Sequence, residues 1–157
     1  MGPNDSRGAA LNTSPVTDNE WQRIWFATRQ QEWTSLALVP AAAGIDVRLA
    51  AELLATTGTH HGERQVEVLN ATGVQLRDVQ QTIDSIAAVT ARGDWAIVPV
   101  DSIEENPATI AILRATSAAL LLVHLGESLL GPAQKAIDMI GRDRIIGSVV
   151  LKPRRDW

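Results

Sequence analysis

The sequence predicts an α/β fold in three layers, α/β/α, with helices on both faces of a mostly parallel sheet of about five strands. Three observations predict it. Short aliphatic runs alternate along the chain with segments whose apolar residues recur at helical spacing. The runs are apolar nearly throughout, as strands covered on both faces must be, instead of at every second residue. The punctuation between them is Gly, Pro, Asn and Asp, as short βα connections require.

Residues 1–18 mix Gly, Pro, Asn, Ser and Thr with scattered charge and read as a flexible arm, in part an expression remnant. Residues 19–152 read as one domain and 153–157, with Arg154 and Arg155, as a short basic tail. Asp18 can cap a first helix ending near Gln31, in which Trp21, Ile24, Trp25 and Thr28 share a face. Leu36 to Val39 is the first strand. A helix follows from about Asp46 to Thr57, with Val47, Ala50, Leu53 and Leu54 on one side, and Gly58 is expected to stop it. Thr59 to Gln65 is a polar connection into a short strand, Val66 to Leu69. The spacing of Leu76, Val79, Ile83, Ile86 and Ala87 predicts a helix from Gln75 to Ala91, broken by Arg92-Gly93-Asp94.

Trp95 to Val100 is the next strand, with Pro99 near its end because proline cannot donate to a ladder. Asn106-Pro107 is a cap followed by a first-turn proline and opens a helix reaching Ala115. Ala118 to Leu125 reads as a central strand, Gly126 as a turn, Leu130 to Ile140 as a helix and Arg144 to Lys152 as the last strand.

The chain has 157 residues, a formal net charge of -4 and no cysteine. The charge argues against a general nucleic-acid binder, and the missing cysteines exclude disulfide scaffolds and thiolate metal sites. No apolar run approaches the roughly 18 residues of a membrane-spanning helix, and no secretory signal is visible, so the expected location is cytoplasmic.

The segment from Ser35 to Ala55 has the layout of a phosphate-binding loop: buried strand, tight turn, helix whose N-terminus faces the ligand. Its chemistry does not fit. In Ala43-Gly44-Ile45-Asp46-Val47 only Gly44 keeps a glycine place, Ile45 stands where a lysine is needed, and Asp46 where a magnesium-binding hydroxyl is needed. A carboxylate about 4 Å from a phosphate oxygen repels it by about 4 kcal/mol per charge pair at an effective dielectric of 20. A milder reading, favoured by residue preference, has Asp46 capping the helix and occupying a phosphate's place.

In this order of elements the chain resembles the deviant P-loop ATPases, and among them the bacterial tyrosine kinases of capsule and exopolysaccharide synthesis. The resemblance spans roughly Asn19 to Lys152. The family's Glu-x-x-Arg-x-x-Arg oligomer helix is half kept in Glu20-Trp21-Gln22-Arg23, with Phe26 in place of the second arginine. Its acidic strand ends fall at Asn70 and at Pro99, with Asp101-Ser102 where prolines are expected. Its C-terminal tyrosine cluster has no counterpart, since the chain has no tyrosine.

The resemblance therefore implies a P-loop NTPase-like fold without catalytic residues, without cofactor or metal. It implies a pseudo-kinase or pseudo-ATPase scaffold in exopolysaccharide biosynthesis or export, peripheral to the inner membrane through the cytoplasmic side of a membrane-embedded assembly protein. It also implies homo-oligomers through residues 19–31. Glu20, Trp21, Arg23, Trp25 and Phe26 are the interface candidates, with packing of the aromatics inside their own domain an equal alternative. The rival function is a nucleotide-binding ATPase or switch of the positioning type, with unorthodox residues or residues from a neighbouring subunit.

Other candidates read as structural. His60-His61-Gly62-Glu63 is a solvated loop before it is a metal site. His124 is a strand histidine. Asp101, Glu104 and Glu105 lack a neighbouring nucleophile and read as a solvated acidic loop.

Overall fold

The computed structural model describes residues 18–62, 64–124 and 130–151. The expected arm, Leu125, the Gly126 turn, Glu63, Lys152 and the basic tail lie outside the described residues. The elements run α1 (Asp18–Thr28), β1 (Ser35–Pro40), α2 (Val47–His61), β2 (Val66–Val68), a 3-10 turn (Leu76–Asp78), α3 (Val79–Ala91), β3 (Trp95–Pro99), α4 (Ala108–Ala115), β4 (Ala118–His124), α5 (Leu130–Ile140) and β5 (Ile145–Leu151). The five strands form one sheet in the order β2-β3-β1-β4-β5, and every pairing is parallel.

The middle strand is β1, and the Ala118–Leu125 run, expected to be central and covered on both faces, forms the interior strand β4 between β1 and the edge strand β5, with its first five residues buried. All six residues of β1 are buried, which explains the unbroken aliphatic run. Alternate side chains feed two cores. Leu36 and Leu38 join Leu120, Leu122, Val149 and Leu151 under α1 and α2. Ala37 and Val39 join Val98, Val100 and Leu121 under α3, α4 and α5. Each fully buried aliphatic side chain contributes about 1.5–3 kcal/mol relative to exposure.

Pro99 closes β3 opposite Leu38. The Val100 N–H turns to Leu38 O (3.1 Å), so the missing donor of Pro99 faces the other side, beyond the end of β2 at Val68.

Four expectations need correction. Gly58 does not stop α2; the helix runs on to His61 and is capped at Gly62. Gly58 is a packing glycine, because a Cβ there would lie 2.5 Å from the Trp25 ring. Gly62 leaves the helix in extended backbone, where a Cβ would collide with Gly58 O. The Gln75 start of α3 is a 3-10 turn, leaving Leu76 77% exposed, and Ala87 is exposed while Val89 is buried. Finally, α1 ends at Thr28, short of Gln31.

Candidate functional site

The loop after β1 leaves the carboxyl edge of the sheet, where parallel α/β sheets place ligands. Ala41 N–H donates to Leu122 O (2.8 Å) and extends the ladder one step past Pro40. The small residues that follow permit a tight reversal, and Gly44 takes it at φ +93°, a conformation that favours glycine. Ala43 and Gly44 are exposed.

Ile45 turns the opposite way. It is 8% exposed and belongs to the same core as Leu36, Leu38 and Val47. The position that would carry a phosphate-binding cation is therefore part of the hydrophobic interior, a role an isolated reading of the motif does not reveal. Asp46 is the N-cap of α2. Its Oδ1 accepts the Leu49 N–H at 3.0 Å and its carbonyl accepts Ala50 N–H at 3.3 Å. A carboxylate of the protein thus occupies one of the backbone donors that a phosphate-binding helix would offer to ligand.

The other positions of interest are also engaged locally. Asn70 Oδ1 accepts from Thr72 N–H (3.1 Å) and Thr72 Oγ1 (2.7 Å), closing a side-chain turn after β2. Pro99 is buried, and its carbonyl accepts Ala71 N–H at 2.9 Å. Asp101 Oδ2 accepts from Gly73 N–H (2.7 Å) and Asn106 Nδ2 (3.0 Å), so it ties the loop after β2 to the start of α4. Asn106 also donates to Val74 O (2.9 Å) and caps Ala108 N–H (3.1 Å). Sequence reading found the cap; the bridge it makes could not be seen because its partners lie in another loop.

Glu105 accepts from Ser102 Oγ at 3.0 Å, and Glu104 pairs with Lys135 at 3.7 Å. Lys135 on α5 went unnoticed in the sequence because no motif surrounds it. With Pro40, Ala41 and Met139 it lines a cleft of about 10 Å³, close to the least that admits a water molecule. Among the described residues no three His, Cys, Asp or Glu side chains converge as a metal site. His60 and His61 are helical, not loop residues, and His61 packs on Phe26 with ring centroids 5.0 Å apart. His124 is half-buried at the end of β4.

The N-terminal helix divides cleanly. Trp21 and Trp25 are each 2% exposed and lie in the core, with Thr28 beside them. Of the two expected readings, interface or packing inside their own domain, these two tryptophans take the second. Glu20, Arg23 and Phe26 stay on the outer face, Phe26 at 53% exposure.

No protein-family model matches the chain, and no curated protein matches it. Among solved structures, the BceF tyrosine kinase domain matches with a TM-score of 0.67 and 13% identity, over 88% of this chain and 76% of that one. The chimerical protein CapA2B2 matches with a TM-score of 0.72 and 9% identity, over 95% of this chain and 89% of that one. The chain therefore shares the fold of a tyrosine kinase domain. Among the described residues no helix is long and apolar enough to cross a membrane.

Proposed function

We propose that the chain is a non-catalytic, tyrosine-kinase-like P-loop domain that acts as a scaffold or regulatory partner in bacterial exopolysaccharide biosynthesis or export. The observation that carries this is the state of the loop after β1: Asp46 caps Leu49 where an anion would dock, and Ile45 is core where a cation would reach out. Phosphoryl transfer depends on positioning and charge neutralisation, and neither side chain supplies them. The fold match to the BceF tyrosine kinase domain supports the kinase-like part of this reading, and the polysaccharide pathway is what the sequence resemblance implies.

In this reading the domain sits on the cytoplasmic side of a membrane-embedded polysaccharide assembly protein and associates with copies of itself. The outer face of α1, with Glu20, Arg23 and Phe26, supports the self-association, since an exposed aromatic beside an arginine is typical of interface centres. Calorimetric titration with ATP and magnesium tests the loss of nucleotide chemistry. No saturable heat is expected up to millimolar nucleotide; micromolar affinity would favour an ATPase or switch with unorthodox residues.

A further inference from the structure

The sheet has two edges, and beside β2 one of them opens into a groove. Gln65 O accepts Trp95 N–H at 3.0 Å, Leu69 N–H donates to Ile97 O at 2.9 Å and Ala71 N–H to Pro99 O at 2.9 Å. Every second residue of this stretch is therefore turned to β3. Val66 and Val68, between them, carry their N–H and C=O to the open side, where no strand of the sheet pairs with them. Their side chains pack on the core under α1 and α2, so Glu67 turns to the opposite face, where Arg92 holds it. Alongside runs a cavity of about 440 Å³, walled by Val66 and Val68 on one side and by Ala55 and the exposed Glu52, Thr56 and His60 of α2 on the other.

Residues four apart on a helix, as Glu52, Thr56 and His60 are, rise by about 6 Å, and alternate residues of an extended chain are about 6.6 Å apart. A strand laid along β2 would bring its successive groove-facing side chains to these three in turn. Glu52 is the one carboxylate on the α2 wall, and it has no ion pair among the described residues. The arginines of the neighbouring segments are placed elsewhere: Arg48 lies outside the lining, Arg92 is shared by Glu67 and Asp94, and Arg64 donates to Gly93 O. We infer that this edge takes up an extended segment of a partner protein as a further strand. A Lys or Arg of that segment lies against Glu52, and two residues along an aliphatic side chain lies against Ala55 and Val66. Backbone pairing supplies the attachment and needs no charge, while Glu52 selects the side chain. A second copy of the chain does not fit, since neither edge strand, Val66–Val68 or Ile145–Leu151, holds a lysine or arginine. The inference goes beyond the scaffold reading and does not depend on the state of the Gly44 loop.

The test is to pan short random peptides, displayed on phage, against the full chain, then titrate the enriched synthetic peptide calorimetrically. Enriched peptides are expected to carry Lys or Arg two residues from Val, Ile or Leu. Glu52→Lys, at an exposed position, should weaken binding about tenfold, and exchanging the peptide's cation for Glu should restore binding to that variant. Asp84→Lys, the same change of charge at an exposed position of α3, should leave binding unchanged. N-methylation should abolish binding at alternate peptide amides, those that bond Val66 and Val68, and spare the amides between them. The inference fails if no cation–aliphatic alternation is enriched, if Glu52→Lys binds like the parent chain, or if N-methylation of neighbouring amides has equal effects.

Discussion

At the Ser35 end of β1 the chain is fixed by side chains, whereas at the Pro40 end it is fixed by backbone groups and a single carboxylate. Ser117 Oγ accepts from Thr34 N–H (3.0 Å) and Ser35 N–H (3.1 Å) and donates to Ser35 O (2.9 Å). Beside it Trp25, Trp33 and Trp95 meet pairwise at 5.8–5.9 Å, and Trp33 Nε1 donates to Thr28 O at 3.0 Å. The other end is Ala41 to Gly44, side chains too small to hold anything, followed by the Asp46 cap. A fold of this kind ordinarily concentrates its specific chemistry at the carboxyl edge. Here the three packed tryptophans gather at the amino edge, and the carboxylates beyond the other edge, Asp46 and Asp101, are spent on backbone N–H groups of the protein's own loops and helices.

Substitutions can break that contrast, beginning with the aromatic end. Gly58→Ala would raise helix propensity at a solvent-exposed site by about 1 kcal/mol. Against the Trp25 ring it should instead destabilise the protein by about 3 kcal/mol, read from urea denaturation, because a rigid buried indole has nowhere to move. Adding Trp25→Phe should recover part of the loss, since the two residues share the same space.

A smaller effect separates two tryptophans. Trp33 Nε1 has its acceptor, but Trp21 Nε1 is buried and finds none among the described residues. An unmade hydrogen bond of this kind costs about 1–3 kcal/mol. Trp21→Phe should therefore cost about 1–2 kcal/mol less than Trp33→Phe in the same denaturation assay, although both remove the same number of atoms. Equal losses would mean that Trp21 meets an acceptor in solution.

The smallest effect is at the loop. Asp46→Ala removes one cap and should destabilise by about 1 kcal/mol. A negligible change would show that the carboxylate does not hold the helix N-terminus, and the contrast between the two ends would lose its sharpest feature.

Local chemistry made much of this legible in the sequence. The aliphatic runs became strands because both faces of the sheet are covered, and Asp46 and Asn106 were recognisable as caps because capping uses neighbours a few residues away. What sequence did not show depends on distant partners. Gly58 looks like a helix stop until Trp25, from another helix, is placed against it. Trp21 and Trp25 look like a docking face until α1 is laid on the sheet, and Leu76 fits the helical spacing of α3 although the chain enters that helix through a 3-10 turn. The spacing set Ile45 where a phosphate-binding loop needs a lysine but did not show it as a core residue, because its direction is set by the turn at Gly44.

The loop can be watched residue by residue in amide ¹H–¹⁵N spectra of the full chain during titration with ATP and magnesium. With Asp46 seated on the helix N-terminus and Ile45 in the core, the amides of Gly44, Ile45 and Leu49 should keep their positions throughout. Saturable shifts centred on those three amides would show that the cradle still receives a phosphate, and the reading of this domain as a non-catalytic scaffold would be wrong.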